Sequence, residues 1–317
     1  MAQQGEAAAG IGRLPSSPRR LSRGEWVAVF KRSLKDFLAD DCMGLAQQIA
    51  YSSLLAFFPA MVFLVGLLDL IGAYETLQDF LAPIAPGAVL DTIETLQEDT
   101  RRATSVVAFL VGLAGAVWAA SGAMGSVVKA VNRAYDRVET RPFWKTRLTS
   151  IFLVALTGLT TAGLLLLIVF GGPLGRAIAA RAGLGGAFEW VWNLVRWPIA
   201  FCAVLLFFAI VYYLAPNQDV RTWKWVTPGS FVGSVGWLAL SALFALYTSL
   251  SGSYTATYGA LASGVVLLLW LNYSAFALLY GAELNSELDR QAELHAAGGE
   301  NAGLIKPSRR PESSDES

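Results

Sequence analysis

Six residues of this 317-residue chain have types and positions that could do chemistry, because each is polar or helix-breaking within or beside a long apolar run. A polar or ionisable side chain is costly in a lipid bilayer, so one inside an apolar run is functional by default. We interpret the six as candidates for a substrate-binding site or the wall of a cavity. They are Tyr51, Pro59, Arg196, Asn272, Glu283 and Asn285.

Each candidate also has an ordinary structural explanation. Arg196 stands roughly 12 Å into its apolar run, where it could extend to the membrane surface or pair with a carboxylate such as Asp69. Asn272 could hydrogen-bond a neighbouring helix, and Tyr51 could anchor the headgroup region. The last two candidates could simply mark the polar end of the final run.

Metal or redox chemistry has little support in the composition. The single histidine, His295, excludes a cluster of histidine ligands within one chain. The two cysteines, Cys42 and Cys202, cannot form a disulfide framework, and there is no Walker A motif. We therefore expect no catalytic residue, no metal and no cofactor, and we interpret the protein as a non-enzyme.

Basic residues recur at every fourth position after the second apolar run. On a helix, this spacing places the side chains along one side until Pro142 interrupts it. Such a ridge could set the topology and attract anionic lipid headgroups, or it could form an anion-binding vestibule at the cytoplasmic mouth. The five residues are Lys129, Arg133, Arg137, Arg141 and Lys145.

The composition indicates an integral membrane protein. Hydrophobic types make up 55% of the residues and charged types 15%, with 24 basic and 24 acidic residues. The equal numbers of basic and acidic residues argue against a nucleic-acid-binding protein, which would carry a basic excess. The high hydrophobic content argues against a disordered protein. Runs of about 20 apolar residues indicate helices that span a bilayer rather than a soluble enzyme. The sequence predicts an all-α polytopic protein with spans at about residues 49–73, 104–128, 148–172, 188–214, 226–250 and 258–284.

The basic residues also predict how the helices cross the membrane. With the N-terminus inside, 19 Lys and Arg residues fall on the cytoplasmic side and four on the other side. Such an excess marks the cytoplasmic face, so both termini are expected there. A membrane domain is predicted at residues 25–290, between disordered tails at 1–24 and 291–317, and the first tail is too polar for a cleavable signal peptide.

An acidic segment at residues 74–103 is the longest connection on the outer side. Its apolar residues have helical spacing in two stripes, which Pro83, Pro86 and Gly87 separate. The pattern predicts an extra amphipathic helical segment on the outer face. This segment could be a structural cap on the bundle or a lid over a cavity that opens outward.

Several short motifs occur together in an order that resembles a known family. They are Asn132-Arg133-Ala134-Tyr135, Ala215-Pro216-Asn217, Pro228-Gly229 and Gly281-Ala282-Glu283-Leu284-Asn285. Over about residues 35–290 the chain resembles the YihY/BrkB family of bacterial inner-membrane proteins. The resemblance implies a multi-pass inner-membrane protein connected with envelope integrity, virulence, or export of envelope lipids and other solutes. The family's old label, ribonuclease BN, is disfavoured because the cytoplasmic loops offer no cluster of metal-binding acids or histidines.

Two functions from different classes fit these features. A transporter, exporter or flippase would bind a small amphipathic or anionic substrate through the polar residues within its spans. A non-transporting envelope scaffold would use the same residues only to join helices. Membrane lipids, including anionic headgroups, are the expected partners. No nucleic-acid partner is expected, and the oligomeric state is left open.

The number of spans raises a further hypothesis. Three spans in each half give the two halves opposite topologies, and Pro59 and Pro198 lie at matching positions in their first spans. Interrupted helices at matching places can border a midplane binding site between inverted repeats. The alternative is two ordinary proline kinks.

Overall fold

The computed structural model describes residues 23–70, 106–169, 171–183, 185–218, 226–250 and 253–296. Regular secondary structure in these ranges is helical throughout. The helices are α1 (Arg23–Ala39), α2 (Cys42–Leu70), α3 (Val106–Ala134), α4 (Phe143–Val169), α5 (Gly171–Ala182), α6 (Gly185–Leu214), α7 (Pro228–Leu250) and α8 (Ser253–Ala296). The expected amphipathic segment at residues 74–103 and most of the two expected tails lie outside these ranges.

Six of the helices are long and apolar enough to cross a membrane, which confirms the predicted all-α polytopic fold. They are α2, α3, α4, α6, α7 and α8. The shortest candidate span has 20 residues, which matches the roughly 30 Å hydrocarbon core of a bilayer. Pro59 and Pro198 lie inside continuous helices, a position that membrane helices tolerate. The inverted-repeat hypothesis stays a prediction.

Three features of the helix layout differ from the sequence-based expectation. Helix α2 begins at Cys42 rather than near residue 49, because Asp41 takes a left-handed φ of 53° and its carboxylate accepts a bond from the Gly44 N–H (3.4 Å). Helices α1 and α5 are not indicated by the apolar runs, since both are much less hydrophobic than the spans. Helix α8 continues to Ala296, beyond residue 291, where the C-terminal tail is predicted to begin.

The six spanning helices form a closed ring in chain order. Each packs against the next, and α8 returns to pack against α2 as well as α7. Helix α3 also touches α8 across the ring, and α5 packs on α4 and α6. Helices that are neighbours in sequence are therefore also neighbours in space, as in an up-and-down helix bundle.

The buried core lies at one end of the ring. Buried side chains occur mainly in the first halves of α2, α4 and α7 and in the second halves of α3, α6 and α8. Because successive helices run in opposite directions, these halves are neighbours at the same end, which we name the closed end. In the other halves, the described side chains of the spans are mostly exposed or half-buried, and Leu159 and Leu243 are examples of exposed ones.

Helix α1 covers the closed end by lying along the second half of α8. Its buried residues Val29, Ser33 and Phe37 recur every four positions and so form one stripe. The Phe37 ring packs edge-on against the rings of Phe276 and Tyr280, with centroids 6.0 and 6.2 Å apart. The amphipathic pattern of α1 therefore serves packing within this chain.

Candidate functional site at the closed end

The loop between α3 and α4 breaks the basic row that the sequence predicts as one helical ridge. Helix α3 ends at Ala134, and Asp136 adopts a left-handed φ of 51°. The N–H of Asp136 donates to the Arg133 carbonyl (3.0 Å) and the N–H of Arg137 to the Asn132 carbonyl (2.8 Å), the two bonds of a Schellman helix end. The predicted ridge is therefore wrong as a single helical surface: two of its residues lie on α3, two in the loop and one on α4.

Arg141 fastens this loop to the end of α6. Its guanidinium donates to the Glu139 carboxylate (Nη2–Oε2, 2.6 Å) and to the carbonyls of Leu214 (3.3 Å) and Ala215 (2.8 Å). Such bonds satisfy carbonyls that a helix leaves open at its C-terminus. The hydrogen bond from Arg141 lowers the pKa of Glu139 below its ordinary value, although partial burial opposes it. Arg141 thus has a structural role in the loop.

Two asparagines complete the fastening. The backbone N–H of Asn217 donates to Asn132 Oδ1 (2.7 Å), and Asn132 Nδ2 donates to the Glu139 carboxylate (2.9 Å). Asn217 Nδ2 donates to the Val138 carbonyl (2.9 Å) and to Thr140 Oγ1 (2.8 Å). The ends of α3 and α6 are therefore locked together through the loop.

Asn285 joins α8 to the start of α7. Its Oδ1 accepts a bond from the Gly229 N–H (2.9 Å), and its Nδ2 donates to Thr227 Oγ1 (3.0 Å). The two backbones approach so closely that a Cβ on Gly229 would lie 2.1 Å from the Gly281 carbonyl oxygen. Only glycine permits this approach. The amide of Asn285 is therefore used in a helix joint.

Two buried tyrosines lie beside this joint. The hydroxyl of Tyr212, on α6, donates to the Leu278 carbonyl of α8 (2.7 Å). Tyr135 follows the end of α3, and its hydroxyl interacts with the Asn285 side chain. Burial raises the pKa of Tyr135 far above its ordinary value, and the charge of Asp289 adds to this effect. Both hydroxyls are therefore neutral hydrogen-bonding groups.

Glu283 lies inside the closed end. Glu283 is only 3% exposed. The thiol of the fully buried Cys42 donates a hydrogen bond to Glu283 Oε1 at 3.3 Å. This contact joins α8 to α2. Within the described ranges, no Lys or Arg forms an ion pair with Glu283.

Paired charges surround Glu283. They are Arg133–Asp40 (2.9 Å), Arg290–Asp36 (3.6 Å), Arg32–Glu287 (3.4 Å) and Arg290–Glu287. Burial raises the pKa of Asp36, although Arg290 opposes it, and burial also raises the pKa of Asp136. Arg32, Arg133 and Arg290 therefore each form an ion pair with a carboxylate other than Glu283.

A groove of about 860 Å³ opens beside this cluster. Lys129 and Arg137 are exposed there and form no ion pair with other described residues, whereas Arg133 and Glu139 are already paired. The groove therefore offers two available cations, with Asp41 nearby, in a pattern that suits an anion or a lipid headgroup. Its polar lining is Asp40, Asp41, Lys129, Asn132, Arg133, Arg137, Glu139 and Thr146.

Arg196 lies in the first half of α6, away from the closed end. Its guanidinium carbon is 5.6 Å from the centroid of the Trp197 ring. Helix α5 packs beside it, so that a Cβ on Gly172 would come within 3.4 Å of Arg196 Nη1. The Nε atom of Arg196 is buried and has no hydrogen-bond partner among the described residues. The side chain of Asp69, the suggested partner, lies outside them.

The remaining candidates are spread over α2 and α8. Tyr51 is 60% exposed, Pro59 is half-buried in mid-α2, and Asn272 is half-buried in mid-α8. Among the described residues, no hydrogen bond, ion pair or ring contact connects Tyr51, Arg196 and Asn272 to one another. Of the six candidates, the structure places Glu283 and Asn285 together at the closed end.

Sequence reasoning missed several members of this site, namely Cys42, Tyr135, Tyr212 and the glycine pair Gly229 and Gly281. The motifs that carry the family resemblance contained Tyr135 and both glycines, and here they meet at one end of the ring. Motif order, rather than side-chain polarity, was the signal that could have found them.

Comparison with known proteins finds similarity over most of the chain. A family model described as virulence factor BrkB matches residues 33–303. The ribonuclease-like protein YfkH of Bacillus subtilis is 33% identical over 252 residues, covering 78% of this chain and 90% of that protein.

Two further relatives are described only as UPF0761 membrane proteins. The one from Chromohalobacter salexigens is 28% identical over 295 residues, which is 87% of this chain and 68% of the relative. The one from Aromatoleum aromaticum is 24% identical over 260 residues, which is 80% of this chain and 61% of the relative. No solved structure matches the chain.

Proposed function

We propose a transport function for this chain, which belongs to the BrkB family of integral membrane proteins. In this proposal it is a transporter, exporter or flippase of the bacterial inner membrane, with both termini in the cytoplasm. Its substrate is a small amphipathic or anionic component of the cell envelope. The protein is not an enzyme, and the ribonuclease-like name belongs to its relative YfkH.

The observation that carries the proposal is the uneven packing of the ring. The buried residues of the six helices are concentrated at the closed end, while the described side chains of their other halves are mostly exposed or half-buried. A transporter needs a seal on one side of its substrate pathway while the other side is accessible. A scaffold that only joins helices would gain from close packing along their whole length.

Charge supports the anionic substrate class. Lys129 and Arg137 are available in the groove at the closed end, and Arg196 lies in the half of α6 that is remote from it. An ionisable group within a membrane span is costly, so its retention favours a role in binding. Cations at both levels of the ring suit a substrate that carries a phosphate or a carboxylate.

The test is reconstitution of the purified protein into liposomes that contain a fluorescent phospholipid or an entrapped anion reporter. We expect protein-dependent movement of one of the two probes. Arg196→Ala should abolish this movement without lowering expression, Arg196→Lys should retain part of it, and the matched control Arg181→Ala, on exposed α5, should retain all of it. Folded protein that moves neither probe would contradict transport and favour the scaffold. An active Arg196→Ala variant would show that Arg196 only reaches the membrane surface.

A further inference from the structure

Two carboxylates one turn apart on α8 have opposite surroundings. Glu287 is held by Arg32 and Arg290. Glu283 is as deeply buried, but within the described part of the chain it accepts a hydrogen bond from the thiol of Cys42, a weak donor. Among the described residues Glu283 has no ion-pair partner. The cost of burying its carboxyl group is therefore not offset by a cation, as it is for Glu287.

In the described ranges, the groups near Glu283 on the neighbouring helices include no cation that forms an ion pair with it. Helix α1 and the turn after it contribute Asp36 and Asp40, and the loop after α3 contributes Asp136. The nearby cations Arg133 and Arg290 are engaged by Asp40, Asp36 and Glu287. Helix α2 contributes the neutral Cys42. The tyrosines Tyr135 and Tyr212 are also neutral, and the start of α7, residues 228–237, has no ionisable side chain.

Burial without an ion pair therefore favours one form of Glu283. An ionised carboxylate loses its hydration in this position and gains no ion pair with a described residue, whereas the neutral acid avoids this penalty. A bound metal ion is not an obvious substitute, since the described residues contain no group of three or more metal-binding side chains. The closed end is thus most stable when Glu283 carries a proton.

Resting on the proposed transport function, we infer that Glu283 is a proton-binding residue that couples proton release to opening of the closed end. With its proton, Glu283 holds α8 against α2 through Cys42. When the proton passes to water at this end, the buried carboxylate draws in water and separates α8 from α2. The coupling ion of the transporter is then the proton.

Cys42 is a built-in reporter for this opening. We replace the exposed Cys202 by serine, so that Cys42 is the remaining cysteine, and reconstitute the protein in lipid nanodiscs. The rate of maleimide labelling is divided by the rate for free glutathione at each pH, which removes the ionisation of an ordinary thiol. Opening linked to the release of one proton should raise the corrected rate about tenfold per pH unit until it saturates.

Variants of Glu283 decide whether this residue is responsible. In Glu283→Gln the corrected rate should stay flat with pH, because the amide cannot release a proton. Glu283→Asp should keep the tenfold slope, and the matched control Glu189→Gln, at the remote start of α6, should behave as the parent. A flat profile in the parent, or an unchanged slope in Glu283→Gln, would overturn the inference.

Infrared spectroscopy gives a readout that does not require transport. A pH-difference spectrum of the parent should contain a protonated carboxylic-acid C=O band that Glu283→Gln lacks and Glu189→Gln keeps. If this band and the Cys42 slope are present but no probe moves in liposomes, proton binding stands and the transport function fails. If probes move equally with and without a pH gradient, in the parent and in Glu283→Gln, transport stands and the coupling is refuted.

Discussion

Replacing Gly229 by alanine is the sharpest test of the joint between α7 and α8. The added Cβ would lie 2.1 Å from the Gly281 carbonyl oxygen and 2.5 Å from the Asn285 side chain. Relief to about 3 Å requires the helices to separate by about 0.9 Å, and the 2.9 Å bond from Gly229 to Asn285 is then lost. Overpacking costs about 1–3 kcal/mol and the hydrogen bond about 0.5–1.5 kcal/mol. We therefore expect a loss of about 1.5–4.5 kcal/mol in the free energy of unfolding.

The assay is reversible unfolding in mixed detergent–SDS micelles, followed by tryptophan fluorescence. Gly158→Ala is the matched control, because a Cβ at this position of α4 meets no atom within 4 Å. Alanine should there stabilise the helix by up to about 1 kcal/mol. If Gly229→Ala unfolds at the same SDS fraction as the parent, the described approach of α7 and α8 is incorrect.

Two further predictions concern the loop after α3 and the topology. The pKa of Glu139 is lowered in the folded protein. Its ionised form therefore stabilises the fold above its unfolded pKa of about 4.3. This stabilisation is lost as the pH falls through the lower pKa of the folded state. Glu139→Gln should therefore melt below the parent at neutral pH and match it in acid; a difference that is constant with pH would contradict this role. In a background without Cys42 and Cys202, Thr95→Cys should react with an impermeant maleimide in intact cells, and Arg137→Cys only after lysis. The reverse pattern would refute cytoplasmic termini.

The spans were predictable because a helix that crosses a bilayer needs a run of about 20 apolar residues, which is easy to recognise in the sequence. Charge gaps and apolar runs located all six spanning helices, with errors mainly at their ends. The start of α2 was misplaced since a single residue, Asp41, sets it by taking a left-handed conformation. Helix α5 is short and glycine-rich, and its glycines permit close packing on Trp192 of α6. Such a helix depends on tertiary contact rather than on local pattern.

The candidate site was only partly predictable, because polarity in an apolar run does not reveal what a side chain meets. Glu283 and Asn285 are two residues apart and drew the same interpretation. In the structure, Asn285 is used in a helix joint, while among the described residues Glu283 accepts a hydrogen bond from a thiol in a distant part of the chain and has no ion-pair partner. Spacing also could not show that Asp136 would end α3 and redirect Arg141 towards α6.

The return of α8 to α2 has a consequence for how the protein is made. The ring is closed by helices that are far apart in sequence, so the two helices that meet are made at different times. During synthesis, α2 to α4 enter the membrane before α8 exists, so the nascent protein is an open arc in which Cys42 has not met Glu283. Ring closure is therefore a late step of biogenesis. A ribosome stalled between α7 and α8 would leave an unfinished arc with its polar groups facing lipid, the kind of product that cellular quality control removes.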